Sequence, residues 1–272
     1  MNAFVAALPM YDWPEARAET DRQWALLRDA LRAAGLDAPQ ELARSNADLP
    51  PIGGGIRDGK GLVIAPDPAS LSRETLDLAV LWRHPGLVFA QTCWGPMEFG
   101  LASFVEVVGQ PDYSPFEGGE GGFYSSTVLM RREEDLAAVP PAGDGRAVLP
   151  VGRLRGRRFA YNGTDSMSGY LALERDLAAL GERMTIFPET LETGGHRASI
   201  KAVAEGLADV CAIDCRSWDM AKRFEPAAEV LAPVGWTARR KGLPYIASAA
   251  LPGGAIETVR AVIGTVEGRA SA

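Results

Sequence analysis

Apolar residues along the chain follow two spacings that alternate from one end of the sequence to the other. Short apolar or alternating runs rich in β-branched and aromatic residues are typical of strands. They cover residues 2–8, 87–91, 104–108, 123–130, 158–161, 184–187, 209–213, 230–234 and 245–248. Stretches in which apolar residues recur every three or four positions are typical of amphipathic helices. They cover residues 14–34, 72–83, 166–180, 196–205, 216–224 and 255–266. The alternation predicts an α/β fold with mixed, mainly parallel sheets flanked by helices.

Two segments between these runs are rich in glycine and proline. Residues 46–70 include the triplet Gly53–Gly55, and residues 110–122 contain four glycines and two prolines. Such composition predicts loops. The triplet neither follows a predicted strand nor opens a predicted helix, so we do not interpret it as a phosphate-binding loop.

Composition and charge limit the classes of partner. The 272-residue chain is 47% hydrophobic and carries a net charge of −7, which indicates a folded globular protein and argues against nucleic acid as a ligand. The densest basic run, Arg153 to Arg158, is interpreted as the solvated entry to a strand. No apolar stretch is long enough to insert into a membrane. An anionic ligand would have to be captured by local donors, because the overall field does not attract it.

The N-terminus and the cysteines bear on location. Residues 1–9 lack a basic region, and their continuous apolar run before Pro9 is only six residues long, so they predict a first strand rather than a signal peptide. The location stays open: periplasmic if a leader precedes the printed sequence, cytoplasmic if the chain is complete. The chain has three cysteines, Cys93, Cys211 and Cys215, and only two histidines. With so few further ligands, the sequence predicts buried thiols and no metal site or cofactor.

Polar residues follow the predicted strand 158–161 where a helix begins. Asn162, Ser166, Ser168 and Gly169 lie in this turn. The first N–H groups of a helix are unpaired and carry partial positive charge, and the serine hydroxyls add donors. Gly169 would let a ligand approach the backbone. The turn therefore predicts an anion cradle; the alternative is an ordinary cap, with Ser166 capping the helix and Ser168 solvated.

The next two junctions repeat this pattern. His196 starts a helix after Gly194–Gly195, with Ser199 one turn further on, and Asp214 ends the apolar strand 209–213. In open α/β sheets ligands bind at the carboxyl ends of the strands. His196 could donate to an anion and Asp214 could accept from a protonated oxygen. The alternatives are a surface histidine and a carboxylate that caps the following helix.

Aromatic and polar residues also follow two strands near the N-terminus. Tyr11 and Trp13 follow the first strand, and Gln91 and Thr92 end the second, ahead of Trp94. Aromatic walls with a few polar groups are typical of small-ligand pockets. The alternative is that the tryptophans are partly buried core residues.

These segments together resemble a known family. The stretches Met10–Glu15, Gln91–Gly95, Asn162–Tyr170 and Gly195–Asp214 are similar to those of the phosphate, phosphite and phosphonate substrate-binding proteins of ABC transporters. The resemblance implies the two-lobed fold of type 2 periplasmic binding proteins. It places lobe 1 at residues 1–123 plus 225–272 and lobe 2 at 124–224, with a ligand cleft between them.

The resemblance also implies roles for particular residues. Ser166, Ser168 and His196 match the residues that hold the oxyanion, Asp214 matches the family's carboxylate, and Tyr11 or Trp13 matches an aromatic after the first strand. The full set of predicted ligand-binding residues is Tyr11, Trp13, Gln91, Thr92, Asn162, Ser166, Ser168, Gly169, His196 and Asp214.

The expected function is therefore that of a monomeric, non-catalytic receptor for a small oxyanion, with an ABC permease as its implied partner. Two alternatives remain open at this point. One is a cytoplasmic enzyme on the same scaffold acting on a small anionic metabolite, although no nucleophile–base pair is evident. The other is a sensory module, which would need a further domain.

Overall fold

The computed structural model describes residues 4–133 and 137–270. The chain divides into two compact units. Unit 1 runs as far as Pro111 and resumes at Leu243, and unit 2 is Asp112–Gly242. Each unit combines helices with a mixed β-sheet of its own.

The strands number fourteen among the described residues. They are β1 (Val5–Ala7), β2 (Ile56–Arg57), β3 (Val63–Ala65), β4 (Leu87–Gln91), β5 (Val105–Gly109), β6 (Gly119–Glu120), β7 (Phe123–Tyr124), β8 (Ser126–Arg131), β9 (Arg158–Tyr161), β10 (Glu189–Glu192), β11 (Val210–Asp214), β12 (Leu231–Trp236), β13 (Arg240–Lys241) and β14 (Tyr245–Ser248).

The helices are mostly short. They are α1 (Arg17–Ala33), α2 (Leu78–Arg83), α3 (Trp94–Glu98), α4 (Val151–Leu154), α5 (Ala172–Ala179), α6 (His196–Ala204), α7 (Cys215–Phe224) and α8 (Ala255–Ala270). A π-turn at Met167–Leu171 leads directly into α5. None of the helices among the described residues is both long and apolar enough to cross a membrane.

The main sheet of unit 1 has the strand order β1-β4-β14-β5. β1 is parallel to β4, and β14 is antiparallel to both of its neighbours. All five residues of β4 are buried, because apolar clusters pack on the sheet from both sides. A strand covered on both faces has no polar side, which explains why β4 is a continuous apolar run in the sequence.

Aromatic side chains form the centre of one of these clusters. Trp24 of α1 stacks on Phe89 of β4, with ring centroids 5.9 Å apart, and Phe89 contacts Tyr245 of β14 at 4.9 Å. Val259 and Ile263 of α8 complete the cluster. The N-terminal and C-terminal helices of the chain therefore share one core.

The main sheet of unit 2 has the order β10-β9-β11-β8-β12. The pairs β10–β9 and β9–β11 are parallel, whereas β11–β8 and β8–β12 are antiparallel. The predicted mixed sheets are confirmed, but antiparallel neighbours are as common as parallel ones here. The sequence pattern does not distinguish them, because buried strands of either kind are continuously apolar.

The boundaries of the units differ from the predicted lobes. The sequence placed residues 112–123 and 225–242 in lobe 1, whereas both segments belong to unit 2. β12 pairs with β8, and β13 pairs with β7. These long-range pairings are set by the tertiary structure and leave no local trace in the sequence.

Two predicted elements are misplaced. The strand predicted at 184–187 is a 3₁₀ turn at Met184–Ile186, and the edge strand is β10, five residues further on. Ile186 and Phe187 are apolar because they pack into the core of unit 2, while the residues of β10 are exposed. The helix predicted to start at Ser72 starts at Leu78, where the Asp77 side chain accepts the Val80 N–H at 3.0 Å.

A buried histidine joins two loops of unit 1. His84 is fully buried. Its Nδ1 accepts the Gly86 N–H at 3.1 Å, and its Nε2 lies 3.1 Å from the Pro50 carbonyl oxygen. An acceptor at Nδ1 and a donor at Nε2 define the neutral imidazole. Burial lowers the pKa of His84, and the hydrogen bond to Pro50 opposes this shift only in part.

We expect His84 to make the stability of the protein depend on pH. The unfolded chain binds a proton at this imidazole below about pH 6.5, whereas the folded protein does so only at lower pH. The free energy of unfolding should therefore fall as the pH falls from about 6.5, by up to about 1.4 kcal/mol per pH unit from this group.

The measurement is urea unfolding of wild type and His84→Gln between pH 7.5 and pH 5. Glutamine can keep one donor and one acceptor but does not titrate, so the variant should show the shallower pH dependence. Both proteins retain His196, so a difference in the pH dependence of their unfolding free energies reports on His84. Parallel curves would contradict the assignment.

Candidate functional site

Polar side chains gather at one edge of the sheet of unit 2. The parallel strands β9 and β11 end there, and the antiparallel strand β8 begins there. We call this region the polar edge and define it as Ser126, Asn162, Ser168, His196 and Asp214. The strands bring these residues together although they are distant in sequence.

The turn after β9 is shaped by a serine cap. The Ser166 hydroxyl oxygen accepts the Gly169 N–H at 3.0 Å, and the chain then continues through the π-turn into α5. Because the oxygen of Ser166 is an acceptor here, its own O–H remains available to donate. The alternative weighed from sequence, capping by Ser166, is therefore correct, but Ser168 is buried rather than solvated.

Gly169 has a steric role that the sequence did not indicate. A Cβ at this position would overlap the Asn162 side-chain oxygen and lie 3.1 Å from the Ser166 Oγ. Its N–H is already donated to Ser166. The glycine makes room for the Asn162 side chain, and its predicted role in ligand approach stays a prediction.

His196 connects two other predicted residues. Its Nε2 lies 2.8 Å from Ser168 Oγ and 3.2 Å from Asp214 Oδ2. An ionised carboxylate can only accept, so Nε2 carries the hydrogen and Ser168 Oγ is a second acceptor. This leaves the Ser168 O–H as a donor. The structure thus brings Ser168, His196 and Asp214 into direct contact.

Asp214 contacts both the start of α7 and His196. Its Oδ1 accepts the Ser217 N–H at 2.9 Å, which caps α7, while its Oδ2 faces His196. The side chain is only 2% exposed. Burial alone would raise the pKa of Asp214, but the hydrogen bonds from His196 and Ser217 outweigh it and hold the pKa below the usual value. The alternative of a helix cap is therefore confirmed for Asp214, and its role as a site carboxylate stays a prediction.

The arrangement differs from a catalytic Ser–His–Asp triad. In a triad the aspartate holds Nδ1–H, so that Nε2 is free to take the proton of the serine. Here the serine and the aspartate both contact Nε2. No proton path runs from Ser168 through the ring to Asp214, so this geometry orients a donor and does not activate a nucleophile.

Several buried polar atoms near this edge have no hydrogen-bond partner among the described residues. They are Ser126 Oγ, Asn162 Oδ1 and His196 Nδ1. Buried polar groups are nearly always paired in folded proteins, so an unpaired cluster indicates a place where a ligand or water binds. In either protonation state, Nδ1 offers a contact: it donates when it carries a hydrogen and accepts when it does not.

Sequence reasoning missed Ser126. It lies directly opposite Asp214 in the β11–β8 register, so the two side chains are on the same face of the sheet. Its N–H donates to Thr237 Oγ1 at 2.8 Å, and its side chain is fully buried. The available signal was the polar run Ser125–Thr127 at the start of an otherwise apolar strand.

The four remaining predicted residues lie in unit 1. Tyr11 and Trp13 lie after β1. Gln91 is the last residue of the neighbouring parallel strand β4, and Thr92 comes directly after it. Gln91 uses its amide to donate to the Leu243 carbonyl at 3.3 Å. Thr92 is fully buried, and its Oγ1 has no partner among the described residues. They form a group at one edge of the sheet of unit 1.

The cysteines are all buried and form no disulfide. Burial raises the pKa of Cys211 and of Cys215. Within residues 4–133 and 137–270, no three His, Cys, Asp or Glu side chains come close enough to hold a metal ion.

Solved structures share the overall fold. The chain is similar to PhnD1 from Prochlorococcus marinus (MIT 9301) in complex with methylphosphonate, with 14% identity, a TM-score of 0.63, and coverage of 96% of this chain and 84% of that chain. It is also similar to a binding protein component of an ABC phosphonate transporter from Pseudomonas aeruginosa, with 14% identity, a TM-score of 0.56, and coverage of 96% and 74%. A third similar structure is XAC2383 from Xanthomonas citri bound to chloride, with 14% identity, a TM-score of 0.58, and coverage of 96% of this chain and 83% of that chain. The predicted fold, that of two-lobed periplasmic binding proteins, is confirmed.

The sequence itself matches a family as well. No curated protein matches the chain. Residues 98–271, more than half of the chain, match the family described as "ABC transporter, phosphonate, periplasmic substrate-binding protein". The matched segment includes the whole polar edge. The chain therefore belongs to the family of periplasmic substrate-binding proteins of phosphonate ABC transporters.

Proposed function

We propose that this protein captures a small tetrahedral oxyanion, a phosphonate, phosphite or phosphate, and that the polar edge of unit 2 provides its recognition. The observation that carries the proposal is the contact of His196 Nε2 with both Ser168 and Asp214. It leaves hydroxyl donors beside a buried carboxylate. The methylphosphonate bound to PhnD1 has the chemistry that such a site would recognise.

The donors of the proposed site are neutral. The O–H groups of Ser126, Ser166 and Ser168 are available to oxyanion oxygens, and His196 begins the nine-residue helix α6. The N-terminus of such a helix carries partial positive charge and unpaired N–H groups. Local donors of this kind suit a protein whose net charge of −7 does not attract anions.

Asp214 would then select among oxyanions. A buried, ionised carboxylate repels a fully deprotonated anion but accepts a hydrogen bond from one that retains a proton. Phosphite, phosphate and phosphonates can retain a proton near neutral pH, and sulfate cannot. The proposed specificity is therefore for protonated oxyanions against sulfate.

The proposal extends to a purely binding role. Both Ser168 and Asp214 contact the same nitrogen of His196, which provides no route for a proton relay. Delivery of the captured anion to an ABC permease fits the family to which the chain belongs. Loss of water around the bound anion would strengthen each hydrogen bond.

Binding should depend on the polar edge. We expect wild type to bind phosphite, methylphosphonate or phosphate with a sub-millimolar Kd. Ser126→Ala, Ser168→Ala and His196→Gln should each weaken this Kd by roughly tenfold or more, because a hydrogen bond to a charged group contributes about 1.5–3 kcal/mol. Isothermal titration calorimetry measures these constants.

The matched control is Asp209→Asn. Asp209 lies at the opposite end of β11 and pairs with Arg131 and Arg158, so this change should lower the melting temperature without altering the Kd. If none of the three anions binds wild type or raises its melting temperature, the oxyanion proposal is wrong.

Asp214→Asn should alter selectivity. Asparagine can still cap α7 but lacks the negative charge, so the variant should bind sulfate and discriminate less against fully ionised anions. Wild-type affinity should weaken as the pH rises through the last ionisation of the ligand, and this loss should be smaller in the variant. Titrations with sulfate and methylphosphonate between pH 5.5 and pH 8.5 test both points, and unchanged selectivity in Asp214→Asn would refute the role of the carboxylate.

A ligand that binds at this site should be released without chemical change. Because no relay reaches Ser168, prolonged incubation of protein with methylphosphonate should leave its phosphorus NMR signal unaltered. Appearance of inorganic phosphate, absent from a His196→Gln control, would favour the enzyme alternative.

A further inference from the structure

The two ends of α7 are capped by acidic residues that both contact the start of α6. Asp214 caps the N-terminus of α7, and Glu225 follows its C-terminus. At the first two positions of α6, His196 contacts Asp214 and Arg197 contacts Glu225. The first turn of α6 therefore contacts both the N-terminal and the C-terminal end of α7.

The contact between Arg197 and Glu225 is well buried on the acidic side. The Glu225 side chain is 5% exposed, and its Oε2 accepts the Arg197 Nε–H at 2.7 Å. Arg197 also donates to the Phe224 carbonyl at 3.4 Å, and Glu225 accepts the Ala227 N–H at 3.2 Å. Burial by itself would raise the pKa of Glu225, but its hydrogen bond with Arg197 and further contacts hold it below the usual value.

Arg197 stands at an unfavourable end of its helix. A cation near a helix N-terminus is repelled by the helix dipole, and acidic residues are preferred there. The first turn of α6 contains no acidic residue. Glu225, the residue that follows α7, supplies the missing negative charge and holds the arginine in one direction.

We propose that Arg197 and Glu225 form a positioning pair, which fixes the first turn of α6 and thereby the orientation of the His196 imidazole at the polar edge. The inference rests on the proposed function in that it assigns His196 to ligand binding. Neither member of the pair touches the ligand. Their effect passes through the backbone of α6 to a side chain whose contacts with Ser168 and Asp214 depend on its angle and distance.

The affinity for methylphosphonate distinguishes a positioning role from a purely electrostatic effect and from a purely stabilising one. Glu225→Gln removes a negative charge from the neighbourhood of an anion site, so electrostatics alone would tighten binding of the anion. Loss of positioning should instead weaken binding of methylphosphonate, by about tenfold. Glu225→Asp keeps the charge but shortens the side chain, and it should weaken binding as well.

Asp209→Asn again serves as the matched control. It disrupts a salt bridge of unit 2 at the opposite end of β11 and should reduce stability with an unchanged Kd. An unchanged or tighter Kd in Glu225→Gln would overturn the inference, whatever the loss in melting temperature.

A second measurement needs no ligand. The chain has only two histidines, so imidazole NMR spectra contain two sets of signals, and His84→Gln assigns them. In Glu225→Gln the His196 signals should shift and broaden while those of His84 in unit 1 stay in place. Unmoved His196 signals would refute positioning. If wild type binds none of the anions, the proposed function fails, and the imidazole spectra still decide the inference about the pair.

Discussion

The buried carboxylate of Asp214 is the group on which the polar edge of unit 2 depends. It ends β11, caps α7 and faces the imidazole of His196. Burying a charge costs several kcal/mol unless it is hydrogen-bonded, and here Ser217 and His196 provide the donors. The need to satisfy this one charge sets the direction of His196 Nε2, and through it the availability of the Ser168 hydroxyl.

The same constraint supports the proposed binding role over a catalytic one. Asp214 and Ser168 share a single ring nitrogen, so the imidazole is oriented but cannot pass a proton between them. Neutral hydroxyls, a helix start and one carboxylate then face each other at low exposure. In the proposed function, this set discriminates among anions by whether they carry a proton that Asp214 can accept. The pair of Arg197 and Glu225 ties the start of α6 to the other end of α7.

Much of the site could be predicted because each of its residues stands at a local junction. A polar residue between an apolar strand and a helix marks the carboxyl edge of a sheet, and Ser166, Ser168, His196 and Asp214 are all of this kind. Ser126 was missed because it begins a strand that runs antiparallel to its neighbours, so its place at the same edge follows only from the pairing. The steric role of Gly169 was not predicted because the group that it accommodates is the Asn162 side chain, a contact that depends on the conformation of the turn.

The sequence by itself determined the α/β class, the family resemblance and most of the strands and helices, because periodicity and capping residues act over a few positions of the chain. It also predicted an oxyanion site from residue types at the strand–helix junctions. Only the tertiary structure decided the strand order, the limits of the two units, and which polar groups meet. Strand pairing and burial join residues far apart in sequence, and the physical reason that Ser168 and Asp214 share one nitrogen of His196 is the packing of β9, β11 and α6, which no local pattern encodes.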